Sequence, residues 1–484
     1  PLNSTEKIVG ELVTMVKTIS LNYSENFSSR VPGYMDSTRV LGQNWSSMQP
    51  GLDYVFGRQP DTAWLNQKAA KGLISRDSSF NALYRQNFEQ KFSLNAVVQP
   101  VRDFNIDISF TKSFSKDYSE LFKDTLFSNS TNSKQHLNPY ASGGFTVSYI
   151  SFGTLFEKTD PNIASTTFQK FENNRLIVSQ RVAQTNPYWN ALTPGQQHTS
   201  DGYATGYGRY SQDVLIPAFI AAYTGKSAHD VPLLKQSNGN VKSNPFSGIL
   251  PKPNWRVRYN GLSKIPALQK IFSIINITHA YSGTLSMNSY TSALNFSDPL
   301  KYGSPGFIDT VSKNYVPFFL VPNITMSEQF SPLLGIDVTT TKQLSLKFEY
   351  GRSRTLSLSL IDYQMSETNS TTWTFGGSWR KKRLNLPFRL PGMNGTKLLN
   401  DLTVKLDVSM RNDATSNSRL DQSNSYATNG QKVIIIQPSI DYVYNSRINL
   451  KFFFSQTRTT PFISTTAPTI FTKAGVQVRI ALAQ

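Results

Sequence analysis

Four histidines are the chain's only imidazoles, His136, His198, His229 and His279, and cysteine is absent. A metal site needs such ligands at short hairpin or helical spacings. These four lie far apart in sequence, so no ligand motif forms and no metal is expected. Asp103 and Asp107 fall on one face of an expected strand, where two carboxylates could pair for acid–base work. No matched partner accompanies them, and polarity of a solvated wall is the simpler reading. The G-x-S-x-G elbow, the H-E-x-x-H helix and the phosphate-binding loop are missing. Gly206-Tyr207-Gly208 lacks both the third glycine and a preceding strand, so it reads as a loop. Arg380-Lys381-Lys382-Arg383 closes a strand and could grip acidic headgroups or simply be solvated. We expect no enzyme and no cofactor.

Recognition chemistry is denser than catalytic chemistry. Arg209, Tyr210, Trp255, Arg256, Arg258 and Tyr259 concentrate guanidinium and aromatic groups, the side chains that anchor interfaces best. They are candidate contacts between a folded insertion and a strand wall, or with a partner. Ordinary packing of the insertion explains them equally well.

What positions these residues is a two-residue period. Leu402, Val404, Leu406, Val408 and Met410 share one face of a strand, and Thr403, Lys405, Asp407 and Ser409 the other. The pattern recurs at Val13–Tyr23, Phe88–Gln99, Phe104–Phe114, Phe145–Tyr149, Ile277–Asn288, Phe318–Phe330, Leu344–Tyr350, Thr355–Tyr363, Thr372–Arg380, Val433–Tyr444, Ile448–Thr457 and Ala474–Leu482. Pro100-Val101-Arg102-Asp103 is a tight turn. Gly351-Arg352 and Asn445-Ser446 are also expected as turns, Asn412–Gln431 as a long polar loop, and a β-bulge is expected between Leu360 and Ile361.

Helical spacing appears over Pro60–Leu73, Thr166–Val182 and Val214–Tyr223. The expected organisation is barrel strands over 1–156, a partly helical insertion over 157–253 and C-terminal barrel strands over 254–484.

Composition favours a sheet with one apolar and one wet face. Hydrophobic residues are 38% of 484, with 31 Phe and 22 Tyr, and mean hydropathy is −0.34. That suits a membrane barrel with a polar lumen, and no stretch approaches the roughly 20 apolar residues of a spanning helix. The fold class expected is all-β, an arc of a very large transmembrane antiparallel β-barrel with a partly helical insertion. Tyr23, Tyr290, Tyr350, Tyr363, Trp373, Trp379, Tyr442 and Tyr444 lie toward strand ends, as a membrane-interface girdle would. A net charge of +18 implies anionic partners such as lipopolysaccharide, or acidic cargo. No nucleic-acid-binding signature accompanies it. Lacking an initiator Met and a signal region, the chain reads as part of a longer or processed polypeptide.

Five strings occur in order: Pro50–Gly57 (PGLDYVFG), Tyr118–Asp124 (YSELFKD), Gly143–Phe156 (GGFTVSYISFGTLF), Gly208–Gly225 (GRYSQDVLIPAFIAAYTG) and Pro253–Ser263 (PNWRVRYNGLS). Over about Tyr34 to Gln484 they resemble the C-terminal segment of the SprA/Sov family, the outer-membrane translocons of the type-nine secretion system of Bacteroidetes. The resemblance implies an integral outer-membrane, protein-conducting channel that exports folded cargo and serves protein transport and gliding motility. Implied partners are a PorV-like shuttle barrel, a periplasmic plug protein, cargo with a C-terminal signal domain, surrounding lipid, and the upstream part of the same polypeptide. One departure is the terminus Ile480-Ala-Leu-Ala-Gln484, where many outer-membrane barrels end in an aromatic residue. Two alternatives stand beside this: a TonB-dependent solute-transporter barrel, and a soluble surface adhesin or glycan-binding β protein.

Overall fold

The computed structural model describes residues 14–125, 133–157, 165–235, 241–384, 400–421, 424–443, 448–462 and 466–480. Fourteen strands make one antiparallel sheet: β1 (Val16–Arg30), β2 (Tyr84–Val101), β3 (Phe104–Asp124), β4 (Lys134–Ser148), β5 (Asn254–Tyr259), β6 (Phe272–Ser292), β7 (Phe319–Leu320), β8 (Asn323–Thr340), β9 (Leu344–Ser359), β10 (Gln364–Leu384), β11 (Asn400–Arg419), β12 (Asn424–Val443), β13 (Ile448–Pro461) and β14 (Thr469–Ile480). Three longer helices are α1 (Thr62–Ala70), α2 (Thr166–Gln184) and α3 (Gln212–Thr224). Asp61 caps α1 and Ser165 caps α2, each accepting a backbone N–H of the first turn through its side chain.

β4 and β5 together occupy one position in the sheet. β4 pairs with the C-terminal halves of β3 and β6, down to Lys112 and Ser148. β5 then fills the gap between their other halves, with Ile108 opposite Trp255 and Trp255 opposite Tyr281. The helices are thus spliced into the middle of a strand position.

The period-two pattern gives the sheet two chemically distinct faces. On one, cross-strand register lines up Tyr259, Ile277, Ile336, Phe348, Phe375, Val408 and Ile436 in a single apolar row. Toward the other end of the strands the same face carries Phe88, Phe114, Phe145, Leu285, Met326, Leu356 and Met365. These are buried in a common core with Phe168 and Phe171 of α2 and Phe219 of α3. The opposite face of β8, β9 and β10 is wet. Its rows are Asn323–Ser359–Gln364, Thr325–Ser357–Ser366, Ser327–Thr355–Thr368 and Gln329–Ser353–Ser370.

The sheet is open, which corrects the expected barrel arc. Among the described residues β1 pairs only with β2, and β14 only with β13. An open sheet encloses no lumen, so the expected protein-conducting translocon channel is overturned, and the solute-transporter barrel meets the same objection. Two unpaired edges also leave backbone groups that hydrocarbon does not satisfy. That argues against the expected integral outer-membrane placement of a barrel. The oily side of the strands was to meet lipid, yet over β2–β10 much of it packs on helices.

Local expectations need correction too. β9 runs unbroken through Gly351-Arg352, whose residues pair with Thr372 and Thr371. The phase switch at Leu360–Ile361 falls in the β9–β10 turn and is no bulge. β11 and β12 extend through most of the expected 412–431 loop, because polar residues on both faces still pair from Asn412–Lys432 to Arg419–Asn424, with one register shift between Thr415 and Ser416. The Asn445-Ser446 turn lies outside the described residues.

Candidate functional site

Between β6 and β8 the chain makes a long strap, 293–322, that lies against the helical body. Gly206 receives it: its φ is +80°, and an added Cβ would sit 2.4 Å from the Tyr315 ring. Only glycine allows that approach. Tyr315 N–H donates to Gly206 C=O at 2.7 Å, and the Asn314 Oδ1 accepts Gly208 N–H at 2.8 Å. Tyr207 and Tyr315 pack with ring centroids 5.1 Å apart.

The strap, the start of α3 and the β9–β10 turn enclose a cleft of about 510 Å³, within the usual size range of ligand sites. Tyr210 and Tyr363 line it, their rings 4.8 Å apart and inclined at 44°. Tyr363 has a φ of +51°, a left-handed conformation that costs a bulky L-residue energy and is found where surrounding structure over-determines it. Its carbonyl is held by Leu420 N–H at 3.0 Å.

Polar groups converge from the strap and α3. Asn295, Asp309, Ser312 and Asn314 line the cleft, with Gln212, Ser289 and Thr291. The Asp309 carboxylate accepts the N–H of Ser312 at 2.7 Å and of Val311 at 3.2 Å. The Ser312 amide and hydroxyl hold its carboxyl below the usual range. Gln212 donates to Phe319 C=O and accepts Val321 N–H at 3.0 Å, which ties α3 to the strap. Ring faces beside planar amides, hydroxyls and one carboxylate suit a ligand with an apolar side and many hydroxyls.

Of the six candidate contact residues, Tyr210 alone lines this cleft. Arg209 pairs with Asp201 at 2.9 Å, within the helical body. Trp255 stacks on Tyr281 at 4.8 Å, and Tyr259 meets Phe104 at 5.9 Å, both on the apolar sheet face. Arg256 and Arg258 point the other way and are exposed, with Arg258 on Asp107 at 2.5 Å. Asp103 pairs with Lys264 at 2.6 Å, so the two aspartates take separate cations. His136 sits between Glu120 at 3.0 Å and Asn66 at 3.2 Å, and His279 contacts Leu333 C=O at 2.7 Å. Among the described residues no three His, Asp or Glu cluster as a metal site.

The aromatic girdle does not form one belt. Tyr290 is fully buried under the helical body, against Phe319 at 5.1 Å, with its hydroxyl on Ser115 C=O at 2.8 Å. Tyr442 is buried as well, whereas Tyr23 and Trp379 are exposed. Tyr350 and Trp373 pack on each other at 4.2 Å. Tyr363 belongs to the cleft, and Tyr444 lies outside the described residues.

Sequence reasoning passed over Asn295, Asp309, Ser312 and Asn314. A signal existed: 293–322 is too long for a strand connection yet rich in Asn, Asp, Ser, Gly and Tyr, and long ordered loops tend to carry function. No family model and no curated protein matches this chain. No described helix is long and apolar enough to cross a membrane, which says nothing about crossing by strands.

Proposed function

We propose that the chain is a glycan-binding β protein of the surface-adhesin kind, and that the cleft between strap, α3 and the β9–β10 turn is its ligand site. The observation that carries this reading is Tyr363, held at positive φ with its ring beside Tyr210 in a cleft also lined by amides, hydroxyls and Asp309. A pre-set aromatic surface takes the C–H side of a sugar ring, while Asn, Gln and Asp side chains exchange hydrogen bonds with its hydroxyls. The absence of a hydrolytic motif fits binding without turnover.

Calorimetric titration of the purified chain with neutral oligosaccharides tests the proposal. Tyr363→Asn is the informative variant, because Asn tolerates the left-handed region and removes only the ring. We expect it to weaken binding at least about tenfold, the scale of a lost aromatic anchor. No measurable glycan binding by the unaltered chain would end the proposal.

Kinship with the SprA/Sov family is a separate proposal, supported by the five ordered strings. Co-purification of a PorV-like barrel with the tagged chain would support it.

A further inference from the structure

The wet face of β8–β10 is unusual in what it omits. The four rows at its upper end hold twelve residues, nine with hydroxyls and three with amides, none charged and none apolar. Charge begins at their borders, with Glu349, Lys347 and Asp337 further along the same face and Arg419 and Asp413 of β11 opposite Gln364 and Ser370. The surrounding chain has a net charge of +18, and solvent-facing strand positions ordinarily carry Lys, Glu and Arg. Short side chains dominate here, and the fourth row, Gln329–Ser353–Ser370, borders a cavity of about 260 Å³. Strand spacing sets hydroxyls about 4.8 Å apart along a row, and the two-residue repeat sets rows about 6.5 to 7 Å apart. Neighbouring hydroxyls already pair across strands, Ser327 with Thr355 at 3.4 Å and Thr368 with Thr415 of β11 at 3.0 Å.

The lattice leads toward the cleft along the chain. The residues of its top row, Asn323, Ser359 and Gln364, are chain neighbours of Pro322, Leu360 and Tyr363, which line the cleft. β6 extends it sideways, with Ser286 opposite Thr325 and Thr284 opposite Ser327, and Ser289 and Thr291 of the same strand reach the cleft.

We propose that the lattice is a track for an extended, uncharged polysaccharide whose one end is anchored at Tyr210 and Tyr363. The inference rests on the glycan reading of the cleft and adds the ligand's class: a linear neutral chain many sugars long. A hydroxyl both donates and accepts, as a sugar hydroxyl does, so each Ser or Thr can meet the chain in either sense. Ser and Thr also lose little rotamer freedom when covered, unlike Lys or Glu. Inside the four rows a charged polymer would find no ion pair, and a protein partner would find no apolar anchor.

The test compares linear β-linked glucose oligomers of three and of twelve units, titrated into the unaltered chain and into the triple variant Thr355→Val, Thr368→Val, Thr415→Val. Valine keeps the shape and the strand preference and removes the hydroxyls. We expect the twelve-unit oligomer to bind at least about tenfold tighter than the three-unit one, a difference of about 1.4 kcal/mol. The triple variant should lose most of that gain and leave the short oligomer's affinity unchanged. Equal affinities for both lengths, or a variant that keeps the full gain, would overturn the track while leaving the cleft intact. Failure of both oligomers to bind would overturn track and cleft together. Circular dichroism and an unchanged affinity for the short oligomer exclude misfolding of the variant.

Discussion

Lys116 shows what one buried residue does to the whole chain's response to pH. It is 1% exposed on the apolar face of β3, with its ammonium 5.1 Å from the Phe319 ring. Burial pushes its pKa down to about 8. Between that value and the ordinary lysine range the unfolded chain binds the proton and the folded chain does not. Stability must therefore rise with pH across that interval. We expect urea unfolding to show greater stability at pH 9.5 than at pH 7.5, and Lys116→Met to lose most of the rise. A variant with the same slope as the unaltered chain would place the effect elsewhere.

At the scale of elements, one buried ion pair locks the helical body onto the sheet. Arg354 of β9 and Glu328 of β8 are 3% and 1% exposed. The guanidinium donates to Glu328 Oε1 at 2.8 Å, to Thr154 C=O at 3.1 Å and to the Thr154 hydroxyl at 2.8 Å. The Ser151 hydroxyl donates to Glu328 Oε2 at 2.8 Å. Ser151 and Thr154 lie on the segment that leaves β4 for α2, so the pair fixes where the helices begin. Removing one charge strands the other in a dry site. Arg354→Met should cost about 3 to 5 kcal/mol, and Glu328→Gln added to it should restore part of the loss. Denaturant midpoints of the single and double variants measure this; additive losses would refute the coupling.

For the whole molecule, the open sheet is the decisive fact. β14 presents an unpaired edge among the described residues, and Ile470, Val476, Val478 and Ile480 on its apolar face are more than half exposed. Such an edge is a template for added strands. The purified chain should self-associate as concentration rises, and Val476→Lys should reduce this in sedimentation velocity. Unchanged association would place the contact on another surface.

Strand period, the turn at Arg102-Asp103 and the three helices were legible in the sequence, because each depends on neighbours a few residues away. So were the two faces of the sheet, since alternation places residues without any partner being known. The partner of the apolar face was not legible. A period-two pattern is the same whether oil, helix or second sheet covers it, and only the packed positions of Phe168, Phe171 and Phe219 show that helices do so here. Edge closure is likewise a property of the first and last strands together. The cleft draws Tyr210, Asp309 and Tyr363 from three separate stretches. Its chemistry was present in the residue types, but only folding placed the three around one cleft.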